Sequence, residues 1–244
     1  MADHDSGAVD EGREDISLLD GLATTSAIRR YRPDPIPDDD LSEIMFAASR
    51  APSGSNRQAW RMVVLRDGLR AVEAKALLGH SFRSSWNEKR ASDGYAEGSA
   101  NTAGSPKARM AAAMQQFVDH FEEIPVVVLA CLDRYRAATP YEGASVYPAV
   151  QNMLLAARAL GYGGVITGWH RACEDELRKL LTIPDVVAIH ATIPLGRPQG
   201  RHGPVRRRPL RELIYDDGWG EAADWAVDPP DALFAQAGPP RIRP

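Results

Sequence analysis

The stretch Pro125-Val-Val-Val-Leu-Ala-Cys-Leu132 is apolar almost without interruption. It has no polar side to turn towards water, so it reads as a central strand covered on both faces. A second strand is expected at Trp60–Leu65, where Trp-Arg-Met-Val-Val-Leu follows a polar loop. A third is expected at Val186–Leu195. Between and around them lie segments with helical spacing. Ile16, Leu18, Leu19 and Leu22 point to a short helix over 16–25. Leu41, Ile44, Met45 and Ala48 place another between Pro37 and Arg50, with Asp38, Asp39 and Asp40 suited to its first turn. Further helices are expected over 71–78, 106–123, 145–160 and 174–181. The last but one is alanine-rich with little polar surface, so it is buried all round or lies at a subunit interface. Few dispersed strands among many helices make this an α+β domain more than a regular alternating α/β sheet.

Composition narrows the function. A net charge of −4 over 244 residues argues against generic nucleic-acid binding. No apolar run approaches the ~20 residues that a membrane helix needs. Cys131 and Cys173 form neither a disulfide framework nor a metal-ligand pattern, and the six histidines show no ligand spacing. A cytoplasmic setting is the default expectation. Residues 1–15, with six acidic side chains, read as a disordered tail. Residues 216–244 carry Trp219, Trp225 and Phe234 among Pro, Gly and Asp. Aromatics in such an extension need a surface to cover, either the body of the domain at 16–215 or a partner subunit.

Four polar or basic stretches stand out. Ser26–Pro37 cannot be helical through its prolines, and so presents Arg29, Arg30 and Arg32 on an extended arm. Arginines placed this way suit a phosphate or form a solvated basic surface. Residues 51–60, Ala-Pro-Ser-Gly-Ser-Asn-Arg-Gln-Ala-Trp, carry hydroxyls and amides from a helix end to a core strand. They suit a flat polar ligand, or serve only as a connector. Gly161-Tyr-Gly-Gly-Val-Ile-Thr-Gly168 would let backbone approach a ligand closely. It lacks the Gly-x-Gly-x-x-Gly spacing and follows a helix instead of a strand, so it is not a dinucleotide fingerprint. Gly196–Pro209 gathers Arg197, Arg201, Arg206, Arg207 and Arg208. Residues 80–106 lack clear periodicity and read as a lid. Their aromatics Phe82, Trp86 and Tyr95 are candidate substrate contacts, and Trp86 serves equally well as helix packing. Met110 and Met114 read as core. Phosphate-binding, zinc and nucleophile-elbow motifs are absent, so a bound planar cofactor would carry the chemistry.

The ordered set of Ser26–Pro37, Ala51–Trp60, Gly163–Gly168 and Arg206-Arg-Arg-Pro-Leu210 resembles the flavin-dependent nitroreductase family over about residues 18–215. The resemblance implies a central, mostly antiparallel sheet flanked by helices in an intertwined homodimer. It implies FMN as cofactor, NAD(P)H as reductant and a small aromatic acceptor such as a nitroarene or quinone. By position, Thr25, Ser26, Ala27 and Arg29 would meet the phosphate or ribityl chain, and Arg206 and Arg208 would close on the phosphate. Pro52, Ser53, Gly54, Asn56 and Gln58 would wall the flavin ring from the partner subunit. Ile166, Thr167 and Gly168 would line its N5 edge, Thr167 and Gly168 donating backbone N–H groups there. The family commonly has Arg-Arg-Ser or Arg-His-Ser at what is here Thr25-Ser26-Ala27, which leaves Arg30 or Arg32 to compensate. Ala59 stands where the family has a proline before the tryptophan. Dehalogenation, dehydrogenation and enone reduction are further reactions of the same scaffold.

Overall fold

A computed structural model describes residues 13, 15–92, 95, 102 and 104–235. The acidic tail lies outside the described residues, apart from residues 13 and 15. The helices are α1 (Leu18–Thr24), α2 (Asp38–Ser49), α3 (Leu69–Ser92), α4 (Pro106–Asp119), α5 (Tyr147–Ala159) and α6 (Glu174–Leu181). The strands are β1 (Trp60–Leu65), β2 (Val126–Asp133), β3 (Gly163–Gly164) and β4 (Val187–Gly196). They form one sheet in the order β1-β2-β4-β3, antiparallel throughout.

The apolar run at 125–132 is an inner strand of that sheet, flanked by β1 and β4. Successive side chains of a strand point to opposite faces, so one strand feeds two cores. Val126, Val128, Ala130 and Leu132 pack with α2 and α5 through Ile44, Val150 and Met153. Val127, Leu129 and Cys131 pack on the other face with α3 and α4 through Leu78, Phe82 and Phe117. Burial pushes the Cys131 thiol up to about 11, leaving it inert. The pairing of β2 with β4 shifts between Ala130 and Cys131, a bulge in the middle of the sheet.

The stretch expected to be a lid begins as a helix. α3 is 24 residues long and runs through Ser92. Its buried residues Ala71, Ala74, Leu78, Phe82 and Trp86 recur every three or four positions. Ser81 is buried with this stripe, its hydroxyl donating to the Trp169 carbonyl at 2.8 Å. A Cβ at Gly79 would crowd the Glu122 carboxylate. That carboxylate accepts Arg83 Nη2 at 2.6 Å and Nη1 at 3.0 Å. Phe82 is therefore a core residue: fully buried, with its ring centroid 4.5 Å from Phe121 and 4.7 Å from Trp169. Residues 96–101 lie outside the described residues.

Two other expectations change. α4 stops at Asp119, with His120 as its C-cap and a 3-10 turn over Phe121–Glu123. The glycines at 163 and 164 let backbone approach the chain itself. A Cβ at Gly163 would lie 2.4 Å from Ile28 Cγ1, and one at Gly164 would lie 2.7 Å from the Pro194 carbonyl. In the extension, residue 207 bridges to 234 and 215 to 222. Trp219 and Trp225 remain 93% and 67% exposed, so within one chain they cover little.

Phe82→Ala is expected to cost about 3–5 kcal/mol of stability through the cavity it leaves. Urea denaturation measures this; an unchanged midpoint would return Phe82 to the role of lid residue.

Candidate active site

The site is built from an arm laid on the sheet edge. α1 is closed by its C-cap Thr25, whose N–H and hydroxyl both donate to the Gly21 carbonyl, at 3.0 and 2.7 Å. The chain then runs extended. Ile28 N–H donates to the Gly164 carbonyl at 3.0 Å and Arg32 N–H to the Arg197 carbonyl at 2.8 Å. Gln199 N–H donates back to the Arg30 carbonyl at 3.0 Å. Ile28 is buried against β3, which leaves Arg29 and Arg30 pointing away from the core. The Tyr31 hydroxyl donates to the Ile28 carbonyl at 2.5 Å, and burial pushes its pKa far up. The arm is thus pinned on both sides of Arg29.

Arg29 borders three cavities. One, of about 390 Å³, is walled by Trp86, Tyr95, Met110, Met114 and Phe117 on one side and Val165–Trp169 on the other. It is mainly aromatic and aliphatic, with the backbone of Ile166, Thr167 and Gly168 as its polar edge. Trp86 is both core and cavity wall; its indole N–H is held by Gln115 Oε1 at 3.0 Å. Thr167 cannot offer its N–H, which donates to the Thr192 carbonyl at 3.0 Å as the β3–β4 pairing continues past Gly164. The Gly168 N–H has no partner among the described residues and is the donor available at this edge.

Behind that edge is a buried polar chain. His170 Nε2 lies 3.1 Å from the Ile189 carbonyl, which can only accept, so Nε2 carries the proton and Nδ1 is the acceptor. The Thr192 hydroxyl then donates to Nδ1 at 3.2 Å, while the Thr192 carbonyl accepts both the N–H and the hydroxyl of Thr167. These bonds fix the turn that presents Gly168.

The second cavity, also about 390 Å³, meets the first at Arg29 and Met110. It is lined by Ser26, Ala27 and four arginines: Arg29, Arg30, Arg109 and Arg201. The lining holds no carboxylate. Thr25 lines neither this cavity nor the ring cavity.

The 51–60 loop is elsewhere. Ser53 and Gly54 line a cavity of about 50 Å³ with Arg57, Tyr135 and Ser145. The Ser53 hydroxyl accepts from Gln58 N–H at 2.9 Å, and Gly54 N–H donates to the Ser145 hydroxyl at 3.2 Å. Ser55, Asn56 and Gln58 have φ of 53, 51 and 51°, left-handed values that cost of order 1 kcal/mol or more each for residues other than glycine. The loop is preset in a strained shape and exposes Pro52 and Asn56. Arg206 and Arg208 line neither the ring cavity nor the arginine cavity, and Arg208 is paired with Glu212 at 2.6 Å. A single chain therefore unites Arg29 with Ile166–Gly168, and Ser26 and Ala27 with the arginine cavity. It leaves Pro52–Gln58 and Arg206–Arg208 apart from both.

Lys89, Met110, Met114 and Trp169 are cavity residues that sequence reasoning passed over or assigned to the core. The signal for Lys89 lay in the α3 stripe, one turn beyond Trp86.

Burial holds His170 below the ordinary histidine range, against the opposing effects of the Ile189 hydrogen bond and Glu174; Arg171 and His190 add to the depression. The unfolded chain therefore takes up a proton near its ordinary pKa of about 6.5 that the folded chain refuses. Stability should be complete above that pH and fall as pH drops below it. His170→Gln should flatten this slope between about pH 7 and about pH 5, read as the melting temperature across that range. An unchanged slope would show that His170 is not the buried neutral group; His190, depressed chiefly by burial, keeps some slope in either case.

Comparison with known proteins fits this geometry. A model of the nitroreductase family matches residues 22–197. A Thermus thermophilus protein named NADH dehydrogenase is 30% identical over 205 residues, covering 77% of this chain and 90% of its own. An iodotyrosine deiodinase from Thermotoga neapolitana is 24% identical over 206 residues, covering 81% and 95%. A crystal structure from Desulfovibrio desulfuricans, in complex with FMN, is 26% identical with a TM-score of 0.60, covering 84% and 99%. With the match running from within α1 through the end of β4, the chain belongs to the nitroreductase family.

Proposed function

We propose that this chain is an FMN-dependent oxidoreductase that takes electrons from NAD(P)H and passes them to a nitroaromatic or quinone-like acceptor. The observation that carries this reading is the joined pair of cavities at Arg29: one apolar and walled by rings, the other cationic. A ligand with a flat conjugated end and an anionic end matches that pair. FMN bound there would supply the two-electron hydride chemistry between nicotinamide and acceptor.

The protein's part is binding, orientation and electrostatics. Gly168 holds an N–H towards the cavity, where charge that builds up on a reduced ring edge is stabilised by a fixed donor. The Thr167–Thr192–His170 chain keeps that donor from turning. Trp86, Met114 and Phe117 exclude water from one side. No side chain is required as an acid or base, because solvent can protonate the acceptor. Ser53, Gly54 and Asn56 reach this site from a second copy of the chain: their strained loop is preformed, faces outward and has no cavity of that size of its own.

A second reading, reductive removal of halogen from an aromatic amino acid, has one observation in its favour. Lys89 and Tyr95 line the apolar cavity, and Lys107 lies 5.3 Å from the Tyr95 ring centroid, so cations stand where a substrate carboxylate could bind. An acceptor panel separates the two readings.

The purified protein should be yellow, or become so with FMN, and anaerobic NADH or NADPH should bleach it. Adding a nitroarene or quinone should restore the oxidised spectrum; bleaching that only a halotyrosine reverses would favour the second reading. Ser53→Ala combined with Asn56→Ala should weaken flavin retention about tenfold or more, measured by flavin content after gel filtration. Full retention would remove the loop from the site.

A further inference from the structure

We infer that the anionic end of the flavin cofactor is held by Arg30, Arg109 and Arg201 together with Arg29, in place of Arg206 and Arg208. This rests on the FMN reading above. In a chain with net charge −4, four guanidiniums converge on one cavity of about 390 Å³ whose lining holds no carboxylate. Among the described residues none of the four is ion-paired. Like charges gathered without counter-charge repel one another, and an anion relieves that repulsion.

The four come from three segments of the chain, each held by its own hydrogen bonds. Arg29 and Arg30 sit on the arm between the Ile28–Gly164 and Arg32–Arg197 hydrogen bonds. Arg109 stands in the first turn of α4, a 14-residue helix capped by the Ser105 hydroxyl on Ala108 N–H at 3.0 Å. Arg201 follows Gln199, which is tied to the arm through its backbone to Arg30 and through its side chain to the Tyr31 carbonyl at 2.8 Å. Cation and ring cavity share Arg29 and Met110, so one elongated ligand can span both.

Of the alternative cations, Arg208 is ion-paired: it gives Nε and Nη2 to Glu212 at 2.8 and 2.6 Å. The arm itself has neutral Thr25, Ser26 and Ala27 where a phosphate-binding arm benefits from cations, and the Thr25 hydroxyl proton is committed to Gly21. Arg109 and Arg201 supply the charge those positions lack. A guanidinium presents a fork of N–H donors that matches phosphate oxygens, and several such forks bind a doubly charged phosphate monoester more firmly than hydroxyls can.

The test compares FMN with riboflavin, which shares the ring and lacks the phosphate. Dissociation constants are measured from flavin fluorescence for the full-length apoprotein, the Arg109→Ala/Arg201→Ala variant, the Arg109→Lys/Arg201→Lys variant and Arg208→Ala. The alanine pair should lose FMN affinity about 100-fold, tenfold for each charge-assisted contact, while riboflavin affinity changes less than about twofold. The lysine pair should recover part of the loss, and Arg208→Ala should stay near wild type. FMN affinity unchanged in the alanine pair, an equal loss for FMN and riboflavin, or a selective FMN loss confined to Arg208→Ala would overturn the inference. A wild-type protein that binds neither flavin would overturn the FMN reading itself, and this inference with it.

Discussion

Much of this molecule depends on the absence of side chains at Gly163 and Gly164. Their backbone is in contact with Ile28 on one side and with Pro194 and Leu195 of β4 on the other, at separations that a Cβ could not share. That closeness lets the Ile28 N–H reach the Gly164 carbonyl and makes the arm an added edge to a four-stranded sheet. With Ile28 turned inward, Arg29 turns outward to the point where the ring cavity and the arginine cavity meet. Backbone packing thus sets the position of the residue on which the site turns. The glycines act one step removed from the chemistry.

The same economy runs through the sheet. β2 is buried on both faces and so ties two cores into one cooperative body. The core under α3 and α4 is also the floor of the ring cavity: Trp86, Met114 and Phe117 belong to both. β4 carries Thr192, whose hydroxyl and carbonyl link His170 to Thr167 and so set the outlook of Gly168. A cavity built on such supports is preorganised, as a site that works by orienting a bound cofactor requires.

How far the sequence revealed this depends on the range of the forces involved. Three of the four strands and most helices were legible because their apolar patterning is local: β2, β4 and α6 fall within a residue of their expected limits. The second half of α3 was hidden because its apolar stripe is carried by Leu78, Phe82 and Trp86 alone, among serines, a glycine and charges. The burial that stabilises it comes from α4 and the Trp169–Cys173 turn, far away in sequence. The site was legible as motifs but not as an arrangement. Arg29 and Gly168 line one cavity, whereas the commitment of the Thr167 N–H to Thr192 could not be read from Gly-Gly-Val-Ile-Thr-Gly. Arg109 and Arg201 are ordinary surface arginines in sequence, 92 positions apart; only the docking of α4 beside the arm brings them to one cavity.

A crystal structure of the protein reconstituted with FMN tests the central claim most directly. The ring edge should lie within hydrogen-bonding distance of the Gly168 N–H, with Arg29 beside the chain that leads from ring to phosphate. Flavin bound elsewhere, with the space between Trp86 and Gly168 left open, would contradict it.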